Sequence, residues 1–139
     1  MNGVINRRLC FCAGHRVMGH ENKCANLHGH NYVVTVTVAG KLDKVGRVID
    51  FGAVKAICGK WLEENWDHAF LFYANDADVK VIFMRHPEWR HFECSFNPTA
   101  ENMATFLLER FGDYFKGTGL ELRQVLVEET ENCSAMAAV

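Results

Sequence analysis

Between His28 and Ala39 the chain reads His-Gly-His-Asn-Tyr-Val-Val-Thr-Val-Thr-Val-Ala, and no other run constrains the fold as strongly. β-Branched residues suit a pleated surface, and alternating valine with threonine puts apolar side chains on one face and hydroxyls on the other. The pattern predicts a half-buried strand beginning at His28. Such a strand needs a partner, and Val4 to Ala13 supplies one: it is rich in β-favouring residues, with Gly14 marking a strand end or bulge just before His15. The residues between, Gly19 to Asn26, have the composition of a loop.

Beyond the turn residues of Gly40 to Gly46, Val54, Ile57, Trp61 and Leu62 recur at helical spacing and predict a helix from about Gly52 to Asn65. A second helix opens at Pro98-Thr99, where Thr99 can cap and Met103, Phe106, Leu107 and Phe111 form an apolar face, and it ends near Gly117. Leu120 to Glu129 reads as a last strand. The stretch from Phe72 to Asn97 holds a short apolar run, Val79 to Phe83, and a candidate strand, Arg90 to Ser95, and receives no firm assignment. The order strand, strand, helix, helix, strand predicts an α+β fold with helices on one face of an antiparallel sheet. At 139 residues the chain suits one core, so residues 1–139 are read as a single domain.

Apolar residues make up 49% and charged residues 23% of the chain, the mixture of a globular protein. A formal charge of -2 gives no global attraction to nucleic acid or to an anionic membrane, and neither is expected as a partner. The first eight residues lack the apolar core of a signal peptide, and no apolar run approaches the roughly 18 residues of a membrane span. A cytoplasmic location is therefore expected, and with it six free thiols. Cys10 and Cys12, alternating with Leu9, Phe11 and Ala13 in a strand-like run, and Cys58, among helix-like residues, read as small core residues or bystanders.

Two histidines flanking one residue at a strand start place both imidazoles on one face, as His28-Gly29-His30 does. Alone, the tripeptide is weak evidence for a metal. His15 adds a third imidazole, since its strand pairs naturally with the His28 strand across the intervening loop. Three nitrogens favour zinc over magnesium or calcium, and three protein ligands leave a fourth position open. The same residues read about equally well as hydrogen-bonded strand ends and a turn histidine, whereas His20, His86 and His91 read as surface histidines.

Ordered motifs along nearly the whole chain then narrow the choice. Phe11-Cys12-Ala13-Gly14-His15-Arg16, Lys23-Cys24-Ala25-Asn26-Leu27-His28-Gly29-His30-Asn31-Tyr32, Gly46-Arg47-Val48-Ile49-Asp50-Phe51, Asp67-His68, Pro98-Thr99-Ala100-Glu101-Asn102 and Glu129-Thr130 together resemble the family of 6-pyruvoyl- and 6-carboxytetrahydropterin synthases. The resemblance implies the tunnelling fold, in which sheets of several subunits join into a barrel with helices outside and active sites between subunits. By analogy it implies a homo-oligomer, a hexamer, acting on 7,8-dihydroneopterin triphosphate. The spacing of Cys24 from His28 is similar to that of the carboxytetrahydropterin branch, which serves the queuosine precursor pathway; the pyruvoyl synthase is the runner-up.

Carried over residue by residue, the resemblance makes His15, His28 and His30 the zinc ligands and Cys24 a general base. It makes Asp67 and His68 an acid/base pair and Glu129 the pterin anchor, with Thr99 and Glu101 bordering the pterin pocket. An alternative of another class has Cys24 as a fourth ligand, closing a non-catalytic structural zinc module. Arg16, Lys23 and Arg47 are cations beside motif residues, each read first as a solvated surface charge.

Overall fold

The structure, a computed structural model, describes residues 2–139. The β-branched run forms β2 (His28–Lys41), and it pairs along its whole length with β1 (Asn2–His15) in an antiparallel ladder that sets His15 opposite His28. Gly14 is neither an end nor a bulge. It sits in the ladder directly across from Gly29.

The helix expected from Gly52 begins one residue earlier, as α1 (Phe51–Val54). It continues through a π-helical turn (Lys55–Gly59) into α2 (Lys60–Asn65). The Asp50 carboxylate caps its start by accepting from the Gly52 N–H. β3 (Ala69–Tyr73) begins before the unassigned stretch and runs into it, and the rest of that stretch resolves into α3 (Ala77–Arg85) and β4 (His91–Cys94). Thr99 caps α4 (Ala100–Phe115) through its hydroxyl, which accepts from the Asn102 N–H at 3.1 Å. A hairpin of β5 (Glu121–Thr130) and β6 (Cys133–Ala138) completes the described chain.

Among the described residues these strands form one sheet in the order β4-β3-β1-β2-β5-β6. The sheet is mixed: the four strands β1, β2, β5 and β6 are antiparallel, whereas β1–β3 and β3–β4 run parallel. Parallel neighbours need a crossover, and the α1–α2 rod supplies it between β2 and β3 as α3 does between β3 and β4.

The core lies between one sheet face and two helical layers. Tyr32, Val34, Val36 and Val38 of β2, with Val125 and Val127 of β5, pack against Val54, Trp61 and Trp66 on one side and Met103, Leu107 and Phe111 of α4 on the other. The short α3 departs from the one-face expectation. Its Phe83 stacks on Phe70 and Phe72, which share the Gly14 face of the sheet, so α3 covers the opposite face at the parallel edge. No described helix is long and apolar enough to cross a membrane.

Candidate metal centre and acid/base pair

Register brings the three histidines together. His15 faces His28 across the ladder and His30 follows two residues on, so all three rings project from the core-side face, next to Tyr32. The ligand atoms of His15, His28 and His30 lie within 4.8 Å of one another. Gly29 makes this approach possible: a Cβ there would stand 2.8 Å from the Ala13 carbonyl oxygen and push the strands apart between two ligands.

Hydrogen bonding fixes what the rings offer. His15 Nδ1 lies 2.8 Å from the Pro98 carbonyl oxygen and His28 Nδ1 2.7 Å from that of Asn26. A carbonyl only accepts, so each Nδ1 carries the proton and each Nε2 presents a lone pair. Those two Nε2 atoms stand 3.1 Å apart. Two neutral imidazoles in these tautomers cannot bond to each other there, and a cation between them relieves the repulsion. His30 Nε2 is buried with no hydrogen-bond partner.

Protonation is a poor substitute for a metal. Burial holds the His15 imidazolium pKa down at about 4, and burial likewise lowers that of His30 against the pull of Glu129. The donor set thus fits a divalent metal bound by three neutral imidazoles, two of which, His15 and His28, have their outer nitrogens anchored to the backbone. Glu129 approaches the same point: its Oε1 lies 3.5 Å from His15 Nε2 and 3.6 Å from His30 Nε2.

Cys24 sits half-buried in a short 3-10 turn (Lys23–Ala25), held to the preceding loop by the Val17 N–H bond to its carbonyl at 2.8 Å. Its thiol is not one of the side chains in the three-histidine group. Burial, then the charges of Glu129 and Cys24, keep the unpartnered Tyr32 hydroxyl protonated. By contrast, burial pushes the Cys58 and Cys94 thiols up to about 12, leaving them inert in the core.

Asp67 and His68 lie elsewhere. They follow α2 and gather around Cys12, which alternation places on the sheet face opposite His15. Asp67 Oδ2 is 3.1 Å from His68 Nδ1, and Asp67 Oδ1 accepts from the Cys12 N–H at 3.1 Å. Burial raises the Asp67 pKa, but the hydrogen bonds from Cys12 and His68 outweigh it and hold the carboxyl below its usual range. His68 has φ of 61°, the left-handed region, and its N–H bonds to the Cys12 carbonyl at 2.7 Å. Its ring is well exposed.

The remaining expected residues separate. Thr99 spends its hydroxyl on the helix cap one residue beyond the Pro98 carbonyl that orients His15, and Glu101 is exposed in the first turn of α4. Arg16 is committed to the buried Asp76 carboxylate by two bonds of 2.7 and 2.9 Å, and Arg47 pairs with Asp43. Two residues went unmarked in the sequence. Arg90 donates to the Asp67 and Glu63 carbonyls at 2.7 and 2.6 Å, and Cys12 joins the Asp67–His68 group. Only the fold brings them there.

A curled α+β sheet carrying a three-histidine group that could hold a metal, beside a carboxylate, has the makings of a metalloenzyme. The chain belongs to the 6-pyruvoyl tetrahydropterin synthase family, which it matches over residues 4–138. It is 41% identical to the 6-carboxy-5,6,7,8-tetrahydropterin synthase of Rickettsia felis over 129 residues, covering 91% of this chain and 94% of the relative. The fold is shared with an uncharacterized protein, WS1659 of Wolinella succinogenes (TM-score 0.87, 22% identity, 99% and 98% of the two chains). It is shared too with 6-pyruvoyl tetrahydropterin synthase of Caenorhabditis elegans (TM-score 0.72, 24% identity, 100% and 96%). The subunit fold expected of the tunnelling family is thus the one observed.

Proposed function

We propose that this chain is a zinc-dependent 6-carboxy-5,6,7,8-tetrahydropterin synthase, a lyase that takes 7,8-dihydroneopterin triphosphate and water to 6-carboxytetrahydropterin, acetaldehyde and triphosphate. One observation carries the reading: the ring nitrogens of His15, His28 and His30 and the Glu129 carboxylate draw together in a chain whose relatives bear that enzyme's name.

When bound, zinc supplies Lewis acidity toward the oxygens of the substrate side chain. Glu129 accepts two parallel hydrogen bonds from the 2-amino group and ring N–H of the pterin, turning its side chain toward the histidines. Cys24 is the base that takes a proton from the substrate side chain. Asp67 orients His68 through the 3.1 Å contact to its Nδ1, and His68 returns a proton. Thr99 and Glu101 border the pterin at the α4 start.

Because the Asp67–His68 pair and the metal centre project from opposite faces of β1, the pair serves the centre of a neighbouring subunit. Unpaired strand edges support assembly: β3 covers only Ala13–His15 of β1, and β6 pairs only with β5. Exposed Val4 lies on the part of β1 that β3 leaves uncovered, and exposed Met136 on the edge strand β6. A cytoplasmic homo-oligomer, a hexamer as in the tunnelling fold, is the assembly proposed, placing the enzyme in queuosine precursor synthesis.

Incubation of zinc-loaded protein with dihydroneopterin triphosphate tests the reading. Acetaldehyde and triphosphate in equal amounts support it, and 6-pyruvoyltetrahydropterin without acetaldehyde selects the pyruvoyl synthase. No turnover by the zinc-loaded oligomer leaves the structural zinc module.

A further inference from the structure

Cys12 belongs to neither the core nor the three-histidine centre, yet it is surrounded by metal-binding chemistry. Its Sγ, a carboxylate oxygen of Asp67 and a ring nitrogen of His68 all lie within 4.8 Å of one another. The three come from two segments 55 residues apart, joined by the bond from the Cys12 N–H to Asp67. The turn carrying Asp67 and His68 is fixed on several sides: His68 N–H to the Cys12 carbonyl, Asp67 to His68 Nδ1, and Arg90 to the Asp67 and Glu63 carbonyls. The donor atoms are therefore held near one another before any ligand arrives.

One thiol, one carboxylate and one imidazole make a mixed S, N, O set that suits zinc and its borderline-soft neighbours and suits magnesium or calcium poorly. A tetrahedral site has ligand edges of roughly 3.5 Å, so closing this group onto a cation needs shifts of about 1 Å shared between side chains. In the single chain the His68 ring is 74% exposed and Cys12 and Asp67 are partly so, which leaves a fourth position for water. Binding releases the Cys12 thiol proton to solvent. The three-histidine centre, more buried and with two tautomers already set, fills first.

We propose that Cys12, Asp67 and His68 form a second transition-metal site that takes zinc once the three-histidine centre is full, and that its occupancy inhibits the enzyme. The inhibitory consequence rests on the acid/base reading of His68: a metal occupying its ring removes the nitrogen that relays protons. Binding itself does not depend on that reading.

Cobalt titration of the metal-free oligomer separates the two questions. Wild-type protein should take two equivalents per chain, the second bringing an intense sulfur-to-metal charge-transfer band in the near ultraviolet. Cys12→Ser and His68→Ala should each keep the first equivalent and lose the second with its band, while Cys10→Ser and Cys133→Ser controls keep both. In turnover assays, zinc beyond one equivalent should inhibit wild type, and the inhibiting concentration should rise for Cys12→Ser by more than the roughly 10–100-fold that losing an outer-shell partner costs. Saturation of wild type at one equivalent, or a band that survives in Cys12→Ser, overturns the site. Two equivalents with unimpaired turnover overturns the inhibitory role alone. A band at the first equivalent that vanishes in Cys24→Ala instead identifies Cys24 as a ligand, which refutes the catalytic-base reading and leaves the second site to be judged on Cys12.

Discussion

Acidifying the metal-free protein should destabilise it through His15 before most carboxylates titrate. In the unfolded chain this imidazole protonates near its ordinary 6.5, whereas in the fold burial holds it at about 4. Between those values the unfolded state binds a proton that the native state does not, so stability is complete above pH 6.5 and falls as the pH drops toward 4. Integrating the two titrations gives a loss of about 2.5 kcal/mol between about pH 7.5 and about pH 4.5. The shift of His30 has the same direction and adds to it. Urea unfolding of chelated wild type and of His15→Gln at both pH values isolates the contribution, because other groups titrate in both proteins. The variant should be less sensitive to acid by about 2.5 kcal/mol. A difference below about 1 kcal/mol would mean that His15 is solvated and titrates normally, refuting the buried, tautomer-locked ring from which the metal fit was argued.

Metal content and turnover should part in two variants: Cys24→Ala keeps zinc and loses about 100- to 10,000-fold in rate, and His28→Ala loses zinc, both measured by elemental analysis beside product formation. Glu129→Gln should keep zinc and weaken the binding of a fluorescent pterin by about 10-fold, the difference between charge-assisted and neutral hydrogen bonds; unchanged binding would remove Glu129 from the pterin site. Gly29→Ala forces a methyl to within 2.8 Å of the Ala13 carbonyl oxygen and should lower both zinc content and stability, the latter by about 1–3 kcal/mol in thermal unfolding.

The antiparallel centre of the sheet was legible because β-branched alternation spells it out, and with it the convergence of His15, His28 and His30, since one loop separates their strands. Thr99 announced its helix by residue type and position. The parallel edge was not legible. Ala69 to Tyr73 is a short apolar run without alternation, and its pairing with Ala13–His15 depends on where a preceding helix deposits it. Val79 to Phe83 has strand-like composition, yet Asp76 caps it as a helix and Phe83 docks on Phe70 and Phe72. The strand Cys133–Ala138 is alanine-rich and carries little β-propensity of its own; the β5 edge organises it. Cys12 looked like a bystander because its partners lie 55 residues away.

In the proposed assembly the two faces of β1 carry halves of different sites, and each subunit is both donor and recipient. A chain lacking Cys24 retains a sound acid/base pair, and one lacking His68 retains a sound metal centre. Neither repairs its own defect, yet each can complement the other. Subunits of Cys24→Ala and His68→Ala, inactive apart, should regain activity when unfolded together and reassembled, with about one site in four drawing both intact halves from random mixing. Under that assembly, selection acts on the contact between neighbours as directly as on the chemistry, since a subunit that folds perfectly and stays alone would hold only half of each site.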